Sequence, residues 1–140
     1  MIRQEIDIDG WWHITVFYMP GPDDMNEIIA AYRGIGCPEG DITEIQRVFP
    51  HQMNKGVTYT SGYLRQSVTV IGRSTSWEQF FNTVLHEIAH IRDDITWWYD
   101  VANYGEPPAY LQGEIGRLMA PVIQRIACPC CGAIMDEVLS

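Results

Sequence analysis

The sequence has few basic residues for its length. Nine Lys and Arg stand against eighteen Asp and Glu in 140 residues, which gives a formal net charge of -9 at pH 7. Proteins that bind the phosphate backbone of nucleic acids do so with clustered basic side chains, and no such cluster stands out along this chain. Nucleic acid is therefore not an expected partner. The acidic surface mainly favours solubility.

Long apolar runs are also lacking. No stretch approaches the roughly 20 consecutive apolar residues that a membrane-spanning helix needs. The first ten residues, MIRQEIDIDG, carry charges where a signal peptide has its apolar run. We therefore expect a cytoplasmic protein with no membrane partner.

The chain has no cysteine pattern of the kind that staples small secreted proteins. Of its four cysteines, Cys128, Cys130 and Cys131 are crowded together, and Cys37 is expected to be a free thiol. Cys128 and Cys131 have the CxxC spacing of half a zinc ribbon, but no second CxxC occurs. A plain reduced tail is the favoured interpretation. Metal binding across a dimer, or together with Cys37, is the alternative.

The remaining pattern indicates an α+β domain. Hydrophobic periodicity and turn residues predict strands over 11–18, 57–60 and 64–72, and helices over 25–36, 41–49, 80–94 and 107–126. This order predicts a short β-sheet packed on helices. The length and the 46% hydrophobic content fit one domain over 1–126, followed by a Cys-containing tail over 127–140.

The segment over 80–94, FFNTVLHEIAHIRDD, contains a HExxH motif inside a predicted helix. His86 and His90 lie one helical turn apart on one face, where both imidazoles can reach a single Zn²⁺. Glu87 sits beside them as the candidate general base. Such a site keeps a coordination position for water and lowers the pKa of that water. A separate apolar stripe of the same helix is expected to be buried in the core: Phe81, Val84, Ile88, Ile91 and Ile95.

A catalytic zinc site of this kind needs a third protein ligand. The metzincin pattern HExxHxxGxxH is absent, and no histidine follows His90, so we expect a carboxylate. The carboxylates after His90 are Asp93, Asp94, Asp100, Glu106, Glu114, Asp136 and Glu137. Asp93 and Asp94 continue the same helix, and both are better suited to support a ligand than to bind the metal; Asp93 is able to accept a hydrogen bond from an imidazole N–H.

Glu106 introduces the predicted helix over 107–126. The small residues of this helix form a stripe at helical spacing, which predicts a close approach to the metal helix: Ala109, Gly113, Gly116 and Ala120. Glu106 and Glu114 are rotated by about 80° on it, so one of them, but not both, is expected to face the metal. Pro107 disfavours helical backbone at Glu106, which predicts that Glu106 lies just outside the helix.

The run over 106–113, EPPAYLQG, resembles the Glu-x-x-Ala segment that carries the third zinc ligand in gluzincins. Together with the HExxHxxD helix, it is similar to small zinc-peptidase-like proteins of bacteriophages and other mobile elements. The resemblance covers about 56–119. It implies a zincin-like fold, with His86, His90 and Glu106 as zinc ligands and Glu87 as the base.

The activity that this resemblance implies is zinc-dependent hydrolysis of a peptide or protein substrate. The alternative is a zincin-like module with a structural zinc, weak or no catalysis, and a protein-binding role. The aromatic run Trp97, Trp98 and Tyr99 follows the metal helix. We expect it to pack in the core or between helices, and a wall of a substrate cleft is the alternative use.

Overall fold

The computed structural model describes residues 1–49 and 55–127, which form three layers. One sheet contains the strands β1 (Ile2–Ile8), β2 (Trp12–Tyr18), β3 (Val57–Ser61) and β4 (Gln66–Ile71). The helices α1 (Met25–Gly34) and α2 (Glu39–Val48) cover one face, and α3 (Trp77–Trp98) and α4 (Glu106–Ile126) cover the other. A 3-10 helix, Pro22–Asp24, leads into α1. The predicted α+β class is confirmed.

The sheet has the strand order β1-β2-β4-β3. The central strands β2 and β4 are parallel, whereas each outer strand is antiparallel to its neighbour. The strand that leads into α3 is therefore interior, and β3 forms the edge of the sheet on one side.

Alternation of side chains along the strands builds two cores, one on each face of the sheet. Ile14 and Val16 of β2 point into the core shared with α3 and α4. Phe17, which follows Val16 and pairs with Val70, belongs with Val68 and Val70 to the core shared with α1 and α2. Because both faces are covered, β2 is an almost continuously buried strand.

Helix α3 begins at Trp77, three residues before the predicted range of 80–94. The hydroxyl of Ser76 accepts a hydrogen bond from the backbone N–H of Gln79, which is the N-cap arrangement. The predicted buried stripe is confirmed at four positions: Val84, Ile88, Ile91 and Ile95. It is wrong at Phe81, which is partly exposed and stacks on Trp77, while Phe80 fills the core instead. Phe80 lies one turn before Val84 and so shares its face.

Strand β1 is absent from the sequence predictions. In its sequence, IRQEIDI, charged side chains alternate with isoleucines. Ile6 and Ile8 point into the core, whereas Arg3 and Glu5 form an ion pair of 2.7 Å on the other face. This alternation is typical of an antiparallel edge strand with one solvated face.

Two predictions about α4 are wrong. Glu106 is the first residue of the helix, and Gly105, with a positive φ of 87°, is the N-cap. Pro107 is tolerated there because the N–H groups of a first turn have no partner within the helix. The expected close approach of backbones is also missing, since a Cβ on Gly113 or Gly116 would meet no atom within 4 Å. These residues line an open groove beside α3 instead.

Within the described residues the only cysteine is Cys37, a free and buried thiol as predicted. Burial raises its pKa to about 11. The predictions for Cys128, Cys130 and Cys131 fall on residues outside the described part. In the part that is described, no helix combines the length and the apolar character needed to cross a bilayer.

Candidate metal centre

Helix α3 brings the imidazoles of His86 and His90 together. Their Nε2 atoms are 3.0 Å apart, and both side chains are open to solvent. Two imidazole nitrogens bound to one tetrahedral zinc, each about 2.0–2.1 Å from the metal, are about 3.3 Å apart. The two nitrogens therefore fit two coordination positions of a zinc ion. Because both side chains are exposed, water and a further ligand can reach the remaining positions.

Glu87 lies on the neighbouring face of α3 and is only 3% exposed. The hydroxyl of Thr58 in β3 donates to Glu87 Oε2 at 2.5 Å. A hydroxyl has one hydrogen, so the 2.7 Å contact between Thr58 and Thr69 is donated by Thr69. A chain of two hydroxyls from the sheet thus ends on Oε2 and fixes the position of the Glu87 side chain beside His86.

The backbone at Gly56 lies directly against this carboxyl group. A Cβ on Gly56 would lie 2.5 Å from Glu87 Oε1 and 2.7 Å from its Cδ. On the other side of the strand, the hydroxyl of Tyr32 donates to the Val57 carbonyl at 2.7 Å. Burial, together with the charge of Glu87, raises the pKa of Tyr32 well above its ordinary value. The start of β3 therefore has a partner on each side. Because Gly56 has no side chain, the Glu87 carboxyl group can lie against its backbone.

Substitution of Gly56 with alanine is expected to lower the free energy of unfolding by about 1–3 kcal/mol, because the added methyl group overlaps a buried carboxyl group. Urea denaturation checks this value. The matched control is Gly113→Ala, where the new Cβ meets nothing within 4 Å. In that helix interior alanine is expected to raise stability by up to about 1 kcal/mol. Equal effects of the two substitutions would contradict the close approach at Gly56.

A second chain of hydrogen bonds in the sheet leads toward Asp94. The indole of Trp12 donates to Ser67 Oγ at 3.1 Å, Ser67 and Thr60 share a bond of 2.8 Å, and Thr60 lines the same pocket as Asp94. Burial raises the pKa of Asp94, while Thr60 and the nearby His90 act in the opposite direction. Asp94 lies one turn after His90, so it is the carboxylate of α3 that interacts with that imidazole.

Asp93 does not have the contact that the sequence suggests. Its Oδ1 accepts hydrogen bonds from Nε and Nη2 of Arg92, at 3.0 and 2.8 Å. Arg92 also donates to Gln112 of α4 at 2.6 Å. Asp93 is thus engaged by the arginine that joins the two helices, and no hydrogen bond from Asp93 to an imidazole is present among the described residues.

The structure does not bring Glu106 to the histidine pair. Glu106 is exposed at the start of α4, and Glu114 forms an ion pair of 2.5 Å with Arg117. Across residues 1–49 and 55–127, no three His, Cys, Asp or Glu side chains form a group that could hold a metal. Glu106 as the third ligand stays a prediction.

The packing of α4 explains this placement. Helices α3 and α4 enclose a groove that Leu85 and Ile88 of α3 line, and Arg92 of α3 bonds Gln112 of α4. On a helix these three α3 positions lie more than 90° around the axis from His86. Helix α4 therefore covers a different face of α3 from the one that carries the imidazoles.

Comparison of the chain with protein-family models, with curated proteins and with solved structures finds no significant match. The chemistry of the site is therefore inferred from its own residues. Two of these, Gly56 and Thr58, have no signal in the sequence, since 29 positions separate Thr58 from Glu87. Asp94 does have one, because it follows His90 by four positions on a helix.

Proposed function

We propose that this protein is a zinc-dependent peptidase of the gluzincin type, in which His86 and His90 bind Zn²⁺ and Glu87 is the general base. The observation that carries the proposal is the approach of the two Nε2 atoms to 3.0 Å beside a buried, hydroxyl-bonded carboxylate. A metal site needs converging imidazoles, and a general base needs a fixed position next to them. The buried free thiol Cys37 is compatible with a reducing, cytoplasmic location.

Bound zinc would supply a water of lowered pKa and would polarise the substrate carbonyl. Glu87 would take a proton from that water and later deliver it to the leaving amine. Thr58 occupies Oε2 of Glu87, so the oxygen left for proton transfer is Oε1, beside Gly56. The hydroxyl chain keeps the carboxyl group in place while the proton moves.

The edge position of β3 supports a peptide as the substrate. Among residues 1–49 and 55–127 this strand pairs only with β4, and Glu87 and Gly56 are in contact at its beginning. An extended peptide can add to such an edge by main-chain hydrogen bonds, which bring its carbonyl groups past the side chains along the strand. The substrate class that we propose is therefore an extended segment of a peptide or protein.

Removal of metal provides the test. Zinc-loaded protein is expected to contain one zinc ion per chain, to cleave members of a diverse peptide library, and to lose cleavage on chelation with recovery on addition of zinc. Elemental analysis and mass spectrometry of the peptides measure the two quantities. One bound zinc with no cleavage of any peptide would favour the binding module, and absence of zinc would refute both interpretations.

Glu106→Gln tests the third ligand that the resemblance implies. If Glu106 binds zinc, this substitution is expected to weaken zinc affinity by at least tenfold, because loss of even an indirect partner of a zinc ligand costs 10–100-fold. Glu114→Gln is the matched control on the same helix. Unchanged affinity in Glu106→Gln would exclude Glu106 and leave the histidine assignment intact.

A further inference from the structure

A pocket separate from the candidate metal centre lies between β3 and the C-terminal end of α3. Its volume is about 320 Å³, and its lining combines the edge strand with the end of α3: Thr58, Tyr59, Thr60, Gly62, Asp94, Trp97 and Trp98. The expectation that the aromatic run packs in the core or between helices is wrong for Trp97, which is 80% exposed, whereas Tyr99 packs against Trp11. The indole of Trp97 borders the pocket instead.

The aromatic wall of this pocket is held in place. The ring of Trp98 lies so close to Gly62, in the β3–β4 turn, that a Cβ on this glycine would overlap it. Indole faces attract cations that approach within about 6 Å of the ring. The aliphatic stem of a lysine or arginine also packs well on such surfaces.

The polar group of the pocket is the Asp94 carboxyl group. It lines the pocket together with Thr60, and it forms no ion pair with a lysine or arginine among the described residues. The segment over 93–116 contains five Asp and Glu and no Lys or Arg. Charge and aromatic character together therefore favour a cationic side chain over an anionic or purely apolar one.

The pocket lies a short distance along β3 from the proposed cleavage site. Asp94 follows Glu87 by seven residues on α3, which is about 10 Å along the helix axis. On β3, Thr58 bonds Glu87, and Thr60, two residues later, lines the pocket with Asp94. An extended peptide advances by about 3.3 Å per residue, so the pocket lies roughly two to three residues from the bond beside Glu87.

We infer that the pocket formed by Asp94, Trp97 and Trp98 is a specificity subsite that binds a lysine or arginine side chain of the substrate. This inference rests on the proposed function for the cleavage site, but the binding of a cationic peptide does not require catalysis. The stem of the side chain packs on the indoles, and its charged end bonds the carboxylate.

Cleavage of a peptide series tests the subsite. One lysine is moved through the positions on either side of the cleaved bond, and each peptide is compared with its norleucine counterpart. At the favoured position lysine is expected to raise kcat/KM about tenfold. Asp94→Asn is expected to remove this preference, so that the ratio of kcat/KM for the lysine peptide to that for the norleucine peptide falls to about one, whatever happens to the two absolute rates. Asp100→Asn, an exposed acid outside the pocket lining, is expected to retain the preference.

Equilibrium binding separates the subsite from catalysis. Zinc-loaded Glu87→Gln protein is titrated with the lysine and norleucine peptides, with tryptophan fluorescence as the signal. A roughly tenfold tighter binding of the lysine peptide that is lost with Asp94→Asn supports the subsite, even if the native chain cleaves nothing and the proposed function fails. Equal binding of both peptides overturns the inference. Weaker zinc binding in Asp94→Asn with an unchanged lysine preference also overturns it, because Asp94 would then only position His90.

Discussion

Replacement of His86 or His90 with alanine is expected to lower zinc affinity by more than about 100-fold and to abolish zinc-dependent cleavage. Loss of a residue that merely supports a zinc ligand costs 10–100-fold, and loss of a ligand itself exceeds that range. Both imidazoles are solvent-exposed, so their removal leaves the core intact and is expected to change stability by less than about 0.5 kcal/mol. Competition with a chromophoric chelator measures the affinity, and urea denaturation without metal measures the stability.

The matched control is His13→Ala. His13 lies in β2, where its Nε2 atom bonds Glu5 at 2.5 Å, and it contacts neither α3 nor β3 by a hydrogen bond. This variant is expected to bind zinc as the native chain does. Native affinity in either His86→Ala or His90→Ala would show that the pair is not the metal site, whatever cleavage is observed.

The part of the site that lies within one helix could be predicted from local pattern alone. A four-residue spacing on an α-helix brings two side chains together regardless of tertiary structure, which is why His86 and His90 meet. The start of α3 at Ser76 follows from an equally local signal, the N-cap hydroxyl. The error at Phe81 shows the limit of this reasoning. Where two apolar residues are adjacent at the edge of the stripe, only packing against other elements decides which of them is buried.

The parts of the site that depend on contacts between elements could not be predicted in the same way. Whether Glu106 reaches the imidazoles depends on which face of α3 is covered by α4, and no local spacing determines that choice. The small-residue stripe suggested a close crossing, but Gly113 and Gly116 border an open groove instead. The hydroxyl that bonds Glu87 likewise arrives from an edge strand far away in the sequence.

Replacement of Glu87 with glutamine is expected to reduce kcat for peptide cleavage by about 10²–10⁴-fold, the usual contribution of a general acid-base residue. Glutamine has nearly the same shape and can still accept the hydrogen bond from Thr58. It cannot take a proton from water. Zinc content is expected to stay at the native level, because Glu87 lies on a different face from the two Nε2 atoms. Single-turnover kinetics and elemental analysis on the same preparation measure both effects.

Glu78→Gln is the control for this substitution, since Glu78 is an exposed acid in the first turn of the same helix. Its effect on cleavage is expected to stay within about twofold.

The comparison also separates the two roles that a buried carboxylate can have. If Glu87 only supported the fold, Glu87→Gln would change the unfolding midpoint. Cleavage would then fall only in proportion to the fraction of protein that remains folded. If it is the base, cleavage disappears from a protein that is folded and fully loaded with zinc. If Glu87→Gln cleaved peptides at the native rate, another residue would have to be the base. The chemical reason for burying this carboxylate beside the histidines would then be lost as well.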